Sequence, residues 1–263
     1  MENPLRTKLS NGQPILGIWT IIPSPIVVEI IGLAGFDFQI LDMEHGVFDQ
    51  QALDANIRAC EAVNCSPLVR VPSLTPFVIQ SVMDLGAHGI IVPQVVDEAS
   101  ARLAVQSMKY APEGIRGYNP FTRAALYCNP PTNEIGKLNN RFGFSSVIIE
   151  NEHALKDLDK ILNIADLDMV YVGVYDMSVA LGCKGDTTHP RMVEFVETTI
   201  RRIREADKAA GMMVKNQLDI SYALKLGANV LVFAVDTYMI HNAAVTAVNM
   251  LLKARNKISE ENR

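Results

Sequence analysis

The chain has 263 residues, 49% apolar and 20% charged, with a formal net charge of −5. That balance suits a soluble domain with a large core, and α/β barrels commonly reach this length as one unit. Interspersed charge without a Lys/Arg-rich run excludes a nucleic-acid partner or an anionic membrane surface.

The first apolar stretch, 15–36, is interrupted by Pro23, Pro25 and Glu29. A membrane span needs roughly 20 uninterrupted apolar residues, so none is expected. No basic-then-apolar leader opens the chain. Cys60, Cys65, Cys128 and Cys183 form no CxxC pair and have no zinc-finger histidine. Free thiols in a cytoplasmic protein are the expectation.

Eight short apolar runs follow in order: 14–20, 38–44, 67–72, 89–95, 146–151, 169–176, 211–216 and 230–236. Near-continuous Val/Ile/Leu runs suit strands buried on both faces of a parallel sheet. Helical patterns lie between them. Ser24-Pro25 starts one that Gly35 ends, and Thr75-Pro76 with Gly86 repeats the arrangement. Further helices are expected over 97–110, 153–165, 190–210, 217–226 and 238–257. Eight alternations predict an α/β chain folded as one (β/α)8 TIM barrel over 1–263. About fifty residues separate runs four and five, including 111–136 with Arg116 and Arg123. Loops this long are often functional, so this one is expected beside the active-site mouth.

In a barrel the strand C-termini build the active site. Asp42, Glu44, His45, Arg70, Gln94, Glu150, Asp176, Lys215 and Asp236 fall at or just past those ends. Glu150 and Asp176 end neighbouring runs. Buried carboxylates must be paired, hydrogen-bonded or metal-bound, and two together suit a hard divalent cation. Pairing with Arg70 or Lys215 is the alternative. His45 follows Asp42-Met43-Glu44, and a neighbouring carboxylate can fix its tautomer for work as a base; a hydrogen-bonded structural histidine is the other reading. Arg70, inside PLVRVP, either meets Glu44 or Glu150 or presents its planar fork to a substrate anion. Lys215 could form a Schiff base only if desolvated. Asp236 can cap the last helix. Trp19 either packs the core or walls a ligand site.

These motifs together resemble the HpcH/HpaI aldolases, metal-dependent class II pyruvate aldolases of the phosphoenolpyruvate/pyruvate barrel superfamily. The carriers are GIW (17–19), LAGFDFQILDMEHG (33–46), PLVRVP (67–72), Asp84-Leu85-Gly86, YAPEGIRG (110–117), IIEN (148–151), VGVYDMSVALG (172–182), HP (189–190) and VDT (235–237). The resemblance spans nearly the whole chain. It implies Glu150 and Asp176 as ligands of magnesium, manganese or cobalt, His45 as catalytic base, and Arg70 as the cation steadying the enolate and the cleaved carbonyl oxygen. Asp84 is implied to raise the basicity of His45. However, Asp84 sits at a helix end, normally opposite the mouth, and Asp42 is a simpler local partner. The Tyr175 backbone matches a donor to the pyruvate carboxylate, and Met213 an apolar residue that can line a neighbouring subunit's site. A hexamer, a trimer of dimers exchanging the last helix, is implied as well.

The chain departs from the family pattern at three places. Ile148 stands where a pyruvate-contacting glutamine is usual, Tyr175 replaces a small residue beside the metal, and the 118–121 wording of the long loop differs. The expected activity is cleavage or formation of a carbon–carbon bond of a 4-hydroxy-2-oxo acid, giving pyruvate and an aldehyde. Rival readings are an oxo-acid decarboxylase or other metal-enolate lyase, a Lys215 Schiff-base aldolase, and a non-catalytic carboxylate-binding barrel.

Overall fold

Parallel strands need a crossover at every connection, and uniformly twisted strands can close on themselves. The computed structural model, which describes residues 2–261, shows that closure. Strands β1 (Ile15–Thr20), β2 (Phe38–Asp42), β3 (Ser66–Arg70), β4 (Gly89–Val92), β5 (Phe144–Ile149), β6 (Met169–Val172), β7 (Ala209–Val214) and β8 (Val230–Val235) pair in sequence order, all parallel. β8 returns to β1. Each predicted run overlaps one strand. The fold is a (β/α)8 barrel.

A short helix, α1 (Pro4–Ser10), precedes the barrel. The others are α2 (Pro25–Leu33), α3 (Gln50–Ala62), α4 (Pro76–Asp84), α5 (Glu98–Met108), α6 (Thr132–Phe142), α7 (Glu152–Lys156), α8 (Leu158–Leu162), α9 (Val174–Ala180), α10 (Pro190–Glu205), α11 (Gln217–Leu226) and α12 (Asp236–Glu261). The helix expected over 153–165 is two, broken at Asp157. The one expected to reach residue 210 stops at Glu205, and Asp207 (φ 56°) turns the chain into β7. Ala209 and Ala210 are good helix formers, but both are buried in the barrel wall, and tertiary packing overrides their propensity.

Strand side chains alternate between two cores. Ile40, Leu68, Ile148 and Tyr171 fill the barrel interior, while Leu41, Val69, Ile149 and Val172 pack outward against the helices. Opposite bulky residues the wall thins to glycine. A Cβ on Gly17 would lie 2.2 Å from the Phe38 ring. Gly17→Leu is therefore expected to destabilise the fold by about 1–3 kcal/mol in urea titration, through overpacking.

The N-terminal end of the barrel is closed. Leu5 of α1 belongs to the interior core, and Asn3 donates to the carbonyls of His88 (3.0 Å) and Phe142 (2.8 Å). This plug had no sequence expectation.

The long interval between β4 and β5 also lies at this closed end, which corrects its expected place beside the mouth. The reason is local. Asp97 caps α5 immediately after β4, with a reciprocal bond to Ser100. The helix therefore uses up the mouth side, and the extra residues come after it. They pack under the barrel: Arg123 pairs with Glu61 at the end of α3, and Gly117 N–H donates to Gln80 at 2.9 Å.

α12 stands away from its own barrel. Every residue from Ile240 to Glu260 is exposed, including Val248, Met250, Leu251 and Leu252. Ile26, Ile30 and Leu33 on α2 and Leu218 on α11 are exposed too. No helix is long and apolar enough among the described residues to cross a membrane.

Candidate active site

Following the inward parity one step past each strand predicts what faces the mouth. Ile40 is followed by Asp42, Leu68 by Arg70, Ile148 by Glu150 and Tyr171 by Gly173. These converge on a cavity of about 280 Å³, completed by Trp19, His45, Tyr175, Asp176 and Met213. Ile148 lines it as well, whereas Glu44, Gln94, Lys215, Asp236 and Asp84 are not in its lining.

Arg70 organises one wall. Its Nε donates to Asp42 at 2.8 Å, one Nη donates to the other Asp42 oxygen, and the second Nη lies 3.1 Å from Glu44. Its guanidinium stacks 4.3 Å from the Trp19 ring centre. Trp19 is itself fixed edge-on to Tyr171, donating to its hydroxyl at 3.2 Å. Both readings of Trp19 thus apply: it is core, and it walls the cavity. The Arg70 Nε and both Nη nitrogens are engaged, which leaves one N–H on each Nη for a ligand.

Asp42 is only 1% exposed. Besides Arg70 it accepts the backbone N–H groups of Glu44 (3.0 Å) and His45 (3.3 Å). It therefore holds the Asp42–His45 turn through the main chain, not through the imidazole. The His45 ring is exposed at the rim and makes no hydrogen bond among the described residues. Asp84 lies at the far end of α4, where it accepts from Arg116 at 2.5 Å. Within one chain Asp84 and His45 occupy opposite ends of the barrel, so the expected partnership is not formed there.

Glu150 is 7% exposed. One carboxylate oxygen accepts the Gln94 N–H at 2.6 Å. The other faces Gly173, where a Cβ would sit 3.2 Å from it and 2.6 Å from the Glu150 Cβ. A side chain there would close the space over the carboxylate. Burial pushes the Glu150 carboxyl up to about 7, and the negative charges of Asp176 and Glu44 add to this, against the Gln94 hydrogen bond and Arg70. Asp176, in the first turn of α9, is exposed to the cavity.

The two carboxylates therefore face one space with too little positive charge. Of the two alternative partners, Arg70 is taken by Asp42 and Glu44, and Lys215 forms no ion pair with either carboxylate among the described residues. This donor set fits a hard divalent cation whose remaining positions are filled by water or ligand oxygens. No group of three or more His, Cys, Asp or Glu that could hold a metal ion is gathered among the described residues.

Sequence reasoning gave Gln94 and Tyr171 no role. Gln94 adopts φ 54° and bridges the walls, its N–H on Glu150 and its amide donating to Glu44 at 3.1 Å. Strand parity was the signal for Tyr171; nothing in the sequence announces the Gln94 turn. Asp236 accepts the amides of Ile21, Ile22 and Thr237, tying the β1 loop to α12. Met213 lines its own chain's cavity, where the resemblance allowed a neighbour's.

A larger cavity, about 340 Å³, lies at the closed end under the long interval. Its Glu61, Arg123 and His88 already bond one another, and the rest of its lining is largely apolar. It brings no free acid, base or nucleophile together.

The fold agrees with the comparisons with known proteins. Residues 16–243 match the family model described as HpcH/HpaI aldolase/citrate lyase. The chain belongs to this family. The 4-hydroxy-2-oxo-heptane-1,7-dioate aldolase of Escherichia coli is 32% identical over 244 residues, covering 93% of each chain. The hydroxypyruvate/pyruvate aldolase of Roseovarius nubinhibens is 31% identical over 254 residues, covering 96% of this chain and 97% of its own. Among solved structures, the HpcH/HpaI aldolase of Desulfitobacterium hafniense superposes with a TM-score of 0.87 at 27% identity, over 94% and 96% of the two chains. This HpcH/HpaI family member is a carbon–carbon lyase, and its cavity lies at the barrel end where such folds do their chemistry.

Proposed function

We propose that the protein is a metal-dependent aldolase that cleaves, or forms, the C3–C4 bond of a 4-hydroxy-2-oxo acid, giving pyruvate and an aldehyde. The observation that carries this is the convergence of Glu150, Asp176, Arg70 and His45 on one cavity. Glu150 and Asp176 would hold a magnesium, manganese or cobalt ion, which supplies Lewis-acid polarisation of the oxo acid when bound. His45 takes the proton of the 4-hydroxyl. As the C3–C4 bond breaks, its electron pair passes into the 2-oxo group, the aldehyde departs, and the enolate left behind takes back at C3 the proton held by His45, giving pyruvate. The free Nη protons of Arg70 stabilise the oxygen charge that develops. Ile148, 2% exposed, gives the cavity an apolar floor that excludes water. A helping role for Asp84 towards His45 requires a second copy of the chain.

Lys215 is not a Schiff-base lysine in this reading. It is exposed, and its hydrogen bond to Tyr175 raises its pKa, so the amine stays protonated. The test is pyruvate release from 4-hydroxy-2-oxo acids before and after chelation. Activity should vanish with the chelator and return with added metal, with aldehyde formed in equal amount. Activity indifferent to chelation, or carbon dioxide released without aldehyde, would overturn the reading.

The assembly we propose is a hexamer, a trimer of dimers, with α12 lying on a neighbouring chain. Its support is the exposed apolar residues of α12 and the uncovered outer faces of α2 and α11. Val248→Asp combined with Leu251→Asp is expected to shift the sedimenting species from a hexamer to smaller forms. A cytoplasmic location fits the four cysteines, all of them free.

A further inference from the structure

The floor of the mouth cavity carries a hydrogen-bond donor that the chemistry above leaves unused. Gly173 lines the cavity without a side chain, and a Cβ there would lie 2.9 Å from Ile148 and 2.6 Å from the Glu150 Cβ. The glycine thus keeps open the space that descends from Glu150 to Ile148. Ile148 on β5 is the register partner of Tyr171 on β6, and both line the cavity. A ligand that reaches the floor meets this pair. Ile148 offers it no hydrogen bond, whereas Tyr171 brings a phenol.

Tyr171 spans the barrel interior from β6 to β1. Its ring passes Gly211 of β7, where a Cβ would lie 2.8 Å from Cδ2, and its oxygen accepts the Trp19 indole N–H at 3.2 Å. The same indole carries the Arg70 guanidinium 4.3 Å from its ring centre. Phenol and guanidinium therefore meet at one side chain. A phenol both accepts and donates. Tyr171 accepts from Trp19, but among the described residues its own O–H donates to no acceptor. Burial raises the phenol pKa above its ordinary value, so the group stays a neutral O–H. A donor on a residue only 4% exposed destabilises the fold unless something accepts its proton. Arg70 serves the oxygen charge of the reacting oxo acid with its free Nη protons, and Tyr171 presents a further donor from below.

We propose that the Tyr171 phenol donates a hydrogen bond to the bound 2-oxo acid, as a second oxyanion donor beside Arg70. This inference deepens the aldolase reading and rests on it, because that reaction develops negative charge on an oxo-acid oxygen. A merely structural Tyr171, present only to hold Trp19 against Arg70, would never touch the substrate.

The probe is oxalate, a planar dianion with the shape of the pyruvate enolate. Calorimetry on the manganese-loaded proteins should show Tyr171→Phe binding oxalate about 10- to 100-fold more weakly than the wild type, the worth of one hydrogen bond to a charge. Manganese affinity should be the same in both. The variant keeps the ring but leaves the Trp19 N–H without its acceptor, so a second measurement retains Tyr171. Tyrosines labelled with carbon-13 at Cζ are followed by magnetic resonance in magnesium-loaded Tyr175→Phe, which lacks the other phenol of the cavity. Oxalate should still move one tyrosine resonance there, a response that a structural Tyr171 would not give. Equal oxalate affinity in wild type and Tyr171→Phe, or oxalate binding that moves no tyrosine resonance in Tyr175→Phe, overturns the proposal and leaves the aldolase reading standing. Exchange of pyruvate methyl protons in deuterated water tests that reading separately. No exchange by the metal-loaded wild type overturns both.

Discussion

Arg70→Lys is expected to lower kcat/KM by about 10²–10³, the loss typical of removing an oxyanion donor, while the barrel stays folded. Lysine keeps the charge but not the fork. It cannot span Asp42 and Glu44, stack flat on Trp19 and still present donors to the cavity. Arg70→Ala should behave differently. It leaves Asp42, 1% exposed, as an uncompensated buried acid, costing about 3–5 kcal/mol of stability. Kinetics of the lysine variant together with urea titration of both separates the two effects. Trp19 is the only tryptophan in the chain, so its fluorescence reports directly on the lost stack.

Glu150→Gln should abolish activity and yet stabilise the metal-free protein at alkaline pH. The folded carboxyl titrates at about 7 against an ordinary 4.5. Between those values the folded state holds a proton that the unfolded state has released, so stability falls as pH rises across the window. At about 1.4 kcal/mol per pH unit, the loss approaches about 3 kcal/mol above pH 7. Glutamine does not ionise and escapes that loss. At pH 8 the metal-free variant should melt above the wild type, and at pH 4.5 the two should nearly coincide. Added manganese should raise the wild-type Tm at pH 8 and leave the variant unmoved. A wild type more stable than Glu150→Gln at pH 8 without metal would contradict the buried, ill-compensated carboxylate.

Much of this was legible in the sequence because barrel strands carry their own signal. Continuous apolar runs mark a strand buried on both faces, and a charged residue two places beyond the last inward one marks the mouth. Asp42, Arg70 and Glu150 follow that rule, and Asp176 follows from the short loop into α9. Position along a strand says which end a side chain reaches, but not which partners it finds there. Hence Asp42 turned out to hold the His45 turn by its main chain, and Gln94 to connect Glu150 with Glu44. The 111–136 interval lies at the closed end because it follows α5, the helix predicted over 97–110: a helix that starts at the mouth delivers the chain after it to the base. Asp84 stands where its helix-end position predicted, because α4 runs from mouth to base, and there it meets Arg116. The outward stand of α12 is likewise invisible to periodicity, since its stability depends on surfaces outside its own barrel.

The decisive measurement is a manganese titration, followed by electron paramagnetic resonance, of the wild type, Glu150→Gln and Asp176→Asn. One site per chain is expected in the wild type, with binding lost or severely weakened in each variant. Equal manganese binding in all three proteins would mean that these two carboxylates do not hold the cation.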